Sequence, residues 1–119
     1  MMPMDLVDVV FKALGDITIE GITLPVTHIT RPQSIPGVSY HFYNRRPSLY
    51  GDGIPIREEV YCQVTLWTKD ANTKGIPAEI ENRMRAHGFK SRPGDYDFEH
   101  HAGIYSESLV FYIEYEKGN

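Results

Sequence analysis

The chain has 119 residues and a net charge of −4. That size supports one domain with its own hydrophobic core, and that balance argues against a protein built mainly to grip nucleic-acid phosphates, which needs clustered positive charge. A single cysteine, Cys62, excludes an intramolecular disulfide and a secreted disulfide scaffold, and gives an intracellular reading.

The opening MMPMDLVDVVFKALG has no basic n-region and no long apolar run, so it does not read as a signal peptide. No apolar stretch approaches the roughly 20 residues needed to span a bilayer. Aromatic residues make up 12%, with tyrosine the commonest at 8. Tyrosine suits surfaces that are apolar in body and polar at the tip, as interfaces are.

In chain order, the first predicted element is a helix over about Met4 to Leu14. Leu6, Val9, Val10 and Leu14 recur at helical spacing, and Gly15 can end it. The stripe reads as core packing, with a partner-binding helix as the alternative. The segment from Ile17 to Thr30, ITIEGITLPVTHIT, is rich in β-branched residues but broken by Gly21 and Pro25. It predicts short strands or a hairpin near Glu20–Gly21. Residues 31–37, RPQSIPG, read as a loop.

Val38 to Arg45 alternates as a strand, with Val38, Tyr40 and Phe42 on one face and Ser39, His41 and Tyr43 on the other. Glu59 to Thr68 is the next strand. Val60, Cys62, Val64 and Leu66 share one face, so Cys62 reads as a buried, inert thiol. Tyr61, Gln63, Thr65 and Trp67 share the opposite face. Between these strands lies NRRPSLYGDGIPIREE, with two prolines and two glycines, and residues 46–57 read as a long loop.

A helix is predicted from about Ile76 to His87. Pro77 fits its first turn, and Glu79–Arg83 and Glu81–Arg85 are i,i+4 pairs in the favourable order. Ile76, Ile80 and Met84 form the inward stripe. Gly88 stands beyond the cap, with Phe89 folding back on Met84. Residues 90–103, KSRPGDYDFEHHAG, are polar and turn-rich, with one short strand over Tyr96–Glu99. Ile104 to Tyr115 alternates as the last strand. Helix, strands, helix and strands on short connections predict a single α+β domain over residues 1–119, with an antiparallel or mixed sheet and two helices on one face.

Candidate chemistry is sparse. Asp95, Asp97, Glu99, His100 and His101 are ligand-type residues within seven positions, and a small metal-dependent enzyme using Asp95, Asp97, His100 and His101 is one alternative. Their spacing is poor for a metal, because in an extended segment His100 projects away from Asp95, Asp97, Glu99 and His101. No motif such as His-Glu-x-x-His supplies a second half-site. Arg45, Arg46 and Arg57 flank the long loop with Tyr43 and Tyr50 nearby, which admits a nucleic-acid-binding module as another alternative. Asp52, Glu58 and Glu59 bring that loop's charge near zero. Arginine and tyrosine also anchor protein interfaces. The interface residues expected here are therefore Arg45, Arg46, Tyr50, Asp52 and Arg57, with Trp67 and the Tyr61 face as further candidates, although core packing also suits Trp67.

Five pieces together resemble the tail-completion or tail-terminator family of long-tailed phages and prophages, which includes the tail-to-head joining proteins. They are DLVDVVFKAL, VSYHFYN, EEVYCQVTLWTKD, PAEIENRMRAHGFK and DYDFEHHAGIYSESLVFYIEYE. The resemblance covers most of the chain and rests on packing patterns, not on catalytic residues. It implies a non-enzymatic α+β subunit without cofactor that forms a ring, typically a hexamer. Such a ring caps the tail tube, meets the tube protein and the head connector protein, and lets DNA pass through without specific binding. It implies assembly in the host cytoplasm, a place in the virion tail and no membrane. The proline-rich 31–37 loop and the length of Pro47–Ile56 depart from the usual pattern.

Overall fold

The computed structural model describes residues 6–19, 21–32, 34–51, 54–69, 75–101 and 103–116, with side chains described there except at 19, 44–50, 54–56, 92–98, 101 and 116. In chain order the elements are α1 (Leu6–Leu14), β1 (Thr18–Ile19), β2 (Ile22–Thr23), β3 (Val26–His28), β4 (Gly37–Gly51), β5 (Ile54–Thr68), α2 (Ile76–Ala86), β6 (Lys90–His101) and β7 (Ile104–Glu116). β1 and β2 pair antiparallel, which of the two alternatives offered by the sequence is the hairpin and not separate short strands. The main sheet has the order β3-β4-β5-β7-β6. Its one parallel pair is β3 with β4, and every other pair is antiparallel. The fold is α+β, with a mixed sheet and two helices on one face.

Period-two alternation decides what the sheet buries. Val38 and Tyr40 of β4, Val60, Cys62, Val64 and Leu66 of β5, and Phe111 of β7 are all buried. They join Leu6, Val10, Ala13 and Leu14 of α1 and Ile76, Ile80 and Met84 of α2 in one cluster. Tyr40 adds a polar tie, its hydroxyl donating to the Val7 carbonyl 2.9 Å away.

α2 is punctuated as its sequence predicts. Both i,i+4 pairs form, Glu79–Arg83 at 3.2 Å and Glu81–Arg85 at 3.0 Å. Gly88 sits at φ 94°, where a side chain is strained. Its N–H donates to Arg85 O at 3.1 Å, and the Phe89 N–H donates to Met84 O at 3.0 Å. That pair of bonds is a Schellman ending, and it folds Phe89 into the core beside Met84. Arg83 then bridges the helices. It donates to the Ala13 carbonyl at the end of α1 at 3.1 Å, and it pairs with Asp16.

Two expectations are corrected. Residues 46–57 are not a long loop. β4 and β5 pair from Gly37↔Trp67 out to Gly51↔Ile54, a single long hairpin. Pro47 and Pro55 are tolerated because the ladder slips in register between Tyr43 and Arg46, between Pro47 and Leu49, and between Leu49 and Tyr50. Likewise, residues 90–101 form a continuous edge strand where only Tyr96–Glu99 was expected. Its register with β7 jumps between Ser91↔Phe111 and Tyr96↔Leu109, so the turn-forming Arg92-Pro93-Gly94-Asp95 run is accommodated as an irregularity within the strand.

The 31–37 stretch behaves as its prolines imply up to Pro36, and β4 starts at Gly37. A Cβ at Gly37 would stand 2.7 Å from Pro32 Cβ and 2.8 Å from Ser34 O, so this turn packs too closely for any larger residue.

Candidate functional site

β4 and β5 are 15 residues each, which at about 3.3 Å per residue gives strands of about 50 Å. The molecule measures 52 × 25 × 22 Å. α1 and α2 span only about 14 and 17 Å at 1.5 Å per residue. The described β4 and β5 side chains that join the helices in the core run from Val38 to Phe42 and from Val60 to Leu66, less than half of either strand. Among the described residues, β7 ends opposite Arg57, at Glu116, and past that level Tyr50 and Gly51 pair with Pro55 and Ile54 as a two-stranded ribbon.

The sheet face turned away from the helices carries aromatic side chains in a row across three strands. Tyr43, Tyr61 and Tyr112 occupy aligned register positions on β4, β5 and β7. Their rings are 5.8 Å apart from Tyr43 to Tyr61 and 5.8 Å from Tyr61 to Tyr112. His41 continues the row, 5.7 Å from Tyr43. Lys90 closes the far end, with its ammonium 5.9 Å from the Tyr112 ring and 3.8 Å from Glu114. Tyr61, in the middle, is buried although no helix covers it. Beside the row, Ser108 Oγ lies 3.0 Å from Thr65 Oγ1 and accepts from Gln63 Nε2 at 3.3 Å. Trp67 donates to Ser39 Oγ at 2.9 Å, under the Arg31 guanidinium, whose carbon is 5.3 Å from the ring centre. Trp67 thus belongs to this face and not to the helix-covered core.

Four of the five expected interface residues lie on the hairpin strands. Arg45, Arg46 and Tyr50 lie on β4, and Arg57 is on β5, exposed, opposite Leu49 and Glu116. Asp52 and the side chains of Arg45, Arg46 and Tyr50 lie outside the described set.

The ligand-type cluster is distributed along β6. Asp97, Glu99 and His101 stand in register with Ser108, Ser106 and Ile104. His100 stands in the alternate register, opposite Tyr105, and its ring stacks on that tyrosine at 4.2 Å and 10°. Asp95 falls in the register break, and the side chains of Asp95, Asp97 and His101 are outside the described set. Among the described residues no three His, Cys, Asp or Glu side chains come together as a metal site. Cys62 is fully buried, and burial pushes its thiol far above the ordinary range, away from the thiolate a nucleophile requires.

Three features escape a reading of the sequence alone. Tyr112 joins Tyr61 only because β7 sits between β5 and β6, and no local signal specifies that order. Ile29 has φ 75°, unusual for a β-branched residue, and it is 70% exposed. Its N–H donates to Tyr40 O at 2.8 Å, and Thr27 Oγ1 donates to the Thr30 carbonyl. The third feature is the pair of open strand edges. Among the described residues, β4 has an outer partner only at Val38–Tyr40, through β3, and β6 has no outer partner at all.

No helix among the described residues is long and apolar enough to cross a membrane. No family model matches the chain, and no curated protein sequence matches it.

Proposed function

We propose that this chain is a structural, non-enzymatic assembly subunit that forms a ring, the tail terminator or completion protein of a long-tailed phage or prophage. In this reading the ring, a hexamer as the resemblance implies, caps the tail tube and joins it to the head connector, with DNA passing through its hole. The carrying observation is the β4–β5 hairpin, which outruns the helix layer and, among the described residues, every other strand at its tip. A two-stranded ribbon in water is marginal by itself, so this one is best explained as an arm that rests on another molecule. Head-to-tail contacts that close make rings, and a rigid arm projecting from one end of an elongated subunit suits such a contact.

The test is the mass in solution, measured by light scattering and native mass spectrometry across a range of concentrations. The expected result is a closed multimer, about six times the 13.6 kDa protomer. A mass that remains at one protomer up to millimolar concentration, together with no binding to tail tubes, overturns the reading.

A further inference from the structure

We infer that the tip of the β4–β5 arm in one copy docks on the N-terminal part of the next, against the exposed side chains of Phe11, Ile22 and Ile29. This rests on the ring reading above and names the surface on which the arm comes to rest.

Three observations carry it. The first is where apolar side chains face water. Among the described residues the exposed large hydrophobics are Phe11, Ile22 and Ile29, at 52%, 65% and 70%, and all three precede β4. Single exposed apolar residues scattered over a surface are ordinary. Here the described residues of α2 and of the long strands contribute none, so the distribution is one-sided.

The second is distance. The segment holding these residues is tied to the start of β4. The Val38 N–H donates to Pro25 O at 2.8 Å, and the Ile29 N–H donates to Tyr40 O at 2.8 Å. The Leu24 N–H donates to Ile17 O at 2.9 Å, and Ile17 in turn follows α1, which Tyr40 meets at the Val7 carbonyl. The arm tip is at the other end. From Tyr40 to Gly51, β4 rises about 35 Å at about 3.3 Å per residue. An arm therefore cannot turn back onto Ile29 of its own copy and meets that surface only in another. A contact between opposite ends of one subunit is head-to-tail, the kind from which rings close.

The third is chemical fit. The tip sequence Leu49-Tyr50-Gly51-Asp52-Gly53-Ile54-Pro55-Ile56 holds five apolar or aromatic residues and one charge. A two-stranded ribbon of that composition gains most from apolar surface to lie on. The charges agree as well. Residues 44–57 hold three arginines and one acid, and residues 1–30 hold four acids and one lysine. Asp8 is exposed on the same face of α1 as Phe11, three positions before it. Glu58 and Glu59, at the root of the arm, accept from the hydroxyls of Tyr115 and Tyr61 within the sheet.

The experiment introduces Ile29→Cys and Asp52→Cys together in the full chain. Their separation within one copy, about 35 Å, is far too great for a disulfide. Cys62 is buried. Oxidation, or a bismaleimide much shorter than that separation, is expected to give a covalent ladder ending at the ring mass. Mixing the two single variants is expected to give covalent pairs only. As a second, independent readout, Ile22→Lys with Ile29→Lys is expected to lower the multimeric fraction at least tenfold while the helix signal and cooperative unfolding stay unchanged. A multimer that forms no ladder although both thiols react with a monofunctional reagent, or that assembles undiminished in the lysine variant, overturns the docking and leaves the ring reading standing. Cross-linking of Ile29→Cys to tail tubes alone gives the surface to the tube protein and also overturns the docking. A ladder that runs on without closing keeps the docking and overturns the ring. A protein that neither multimerises nor cross-links overturns both.

Discussion

At the scale of single residues, Tyr40 shows how one polar group is built into an apolar layer. Its phenol is pushed from 10.0 up to about 12, by burial first and then by Cys62 and Asp8. The folded protein therefore holds a proton that the unfolded chain releases near pH 10. The corresponding stability is fully present below pH 10 and is lost as pH rises through about 12. Tyr40→Phe removes the hydrogen bond to Val7 and is expected to cost about 1 kcal/mol at pH 7. Urea unfolding at pH 7 and pH 11 checks this: the gap between the two proteins should narrow at the higher pH, and an unchanged gap refutes the assignment. Cys62, by contrast, was legible without a structure, because three aliphatic residues share its strand face. Trp67 was not, since a tryptophan at that position suits either face until Ser39 and Arg31 are seen to receive it.

At the scale of elements, the sequence was most readable where punctuation and periodicity agree. In α2, Pro77, the two charge pairs, Gly88 and Phe89 all specify the same helix, and every one of those contacts is made. The readings failed where local chemistry and the ladder disagree. Pro47, Pro55 and the Arg92–Asp95 run signal turns, but pairing with long neighbours outweighs that preference once bulges absorb the extra residues.

The contact between α1 and α2 was equally hidden, because it depends on Arg83 reaching a carbonyl 70 residues away. Arg83→Met is expected to lower stability by about 1–2 kcal/mol through the lost bond to Ala13. Asp16 reports the same link. The hydrogen bond from Arg83, and then its charge, hold the carboxyl below its ordinary 3.8. A depressed folded value means the contribution is present above pH 3.8 and disappears as pH falls through the folded value. Carboxyl titration by NMR should show Asp16 returning towards 3.8 in Arg83→Met, and no movement would refute the link.

At the scale of the whole molecule, the proposed arm can be tested apart from the core. Of residues 48–57, Gly51 and Arg57 have described burial, and neither belongs to the buried cluster. Replacing that stretch with an Asn-Gly turn is expected to leave the helix signal and cooperative unfolding in place. The same change should dissociate the multimer at concentrations where the full chain is assembled. Retained assembly in light scattering would remove the arm from the account. Sequence patterning reached the α+β class and the placement of both helices, since these follow from local periodicity. It did not reach the strand order or the open edges, which are properties of pairing between distant segments.

Ile29 has one more bearing on that outline. Its left-handed backbone turns the chain aside immediately after β3, once its own N–H has satisfied the Tyr40 carbonyl. Had the chain stayed extended, β3 would run on alongside His41 and its successors and sheath them. A single hand-reversed residue thus acts as a full stop, and the reach of β3 along β4 is set there.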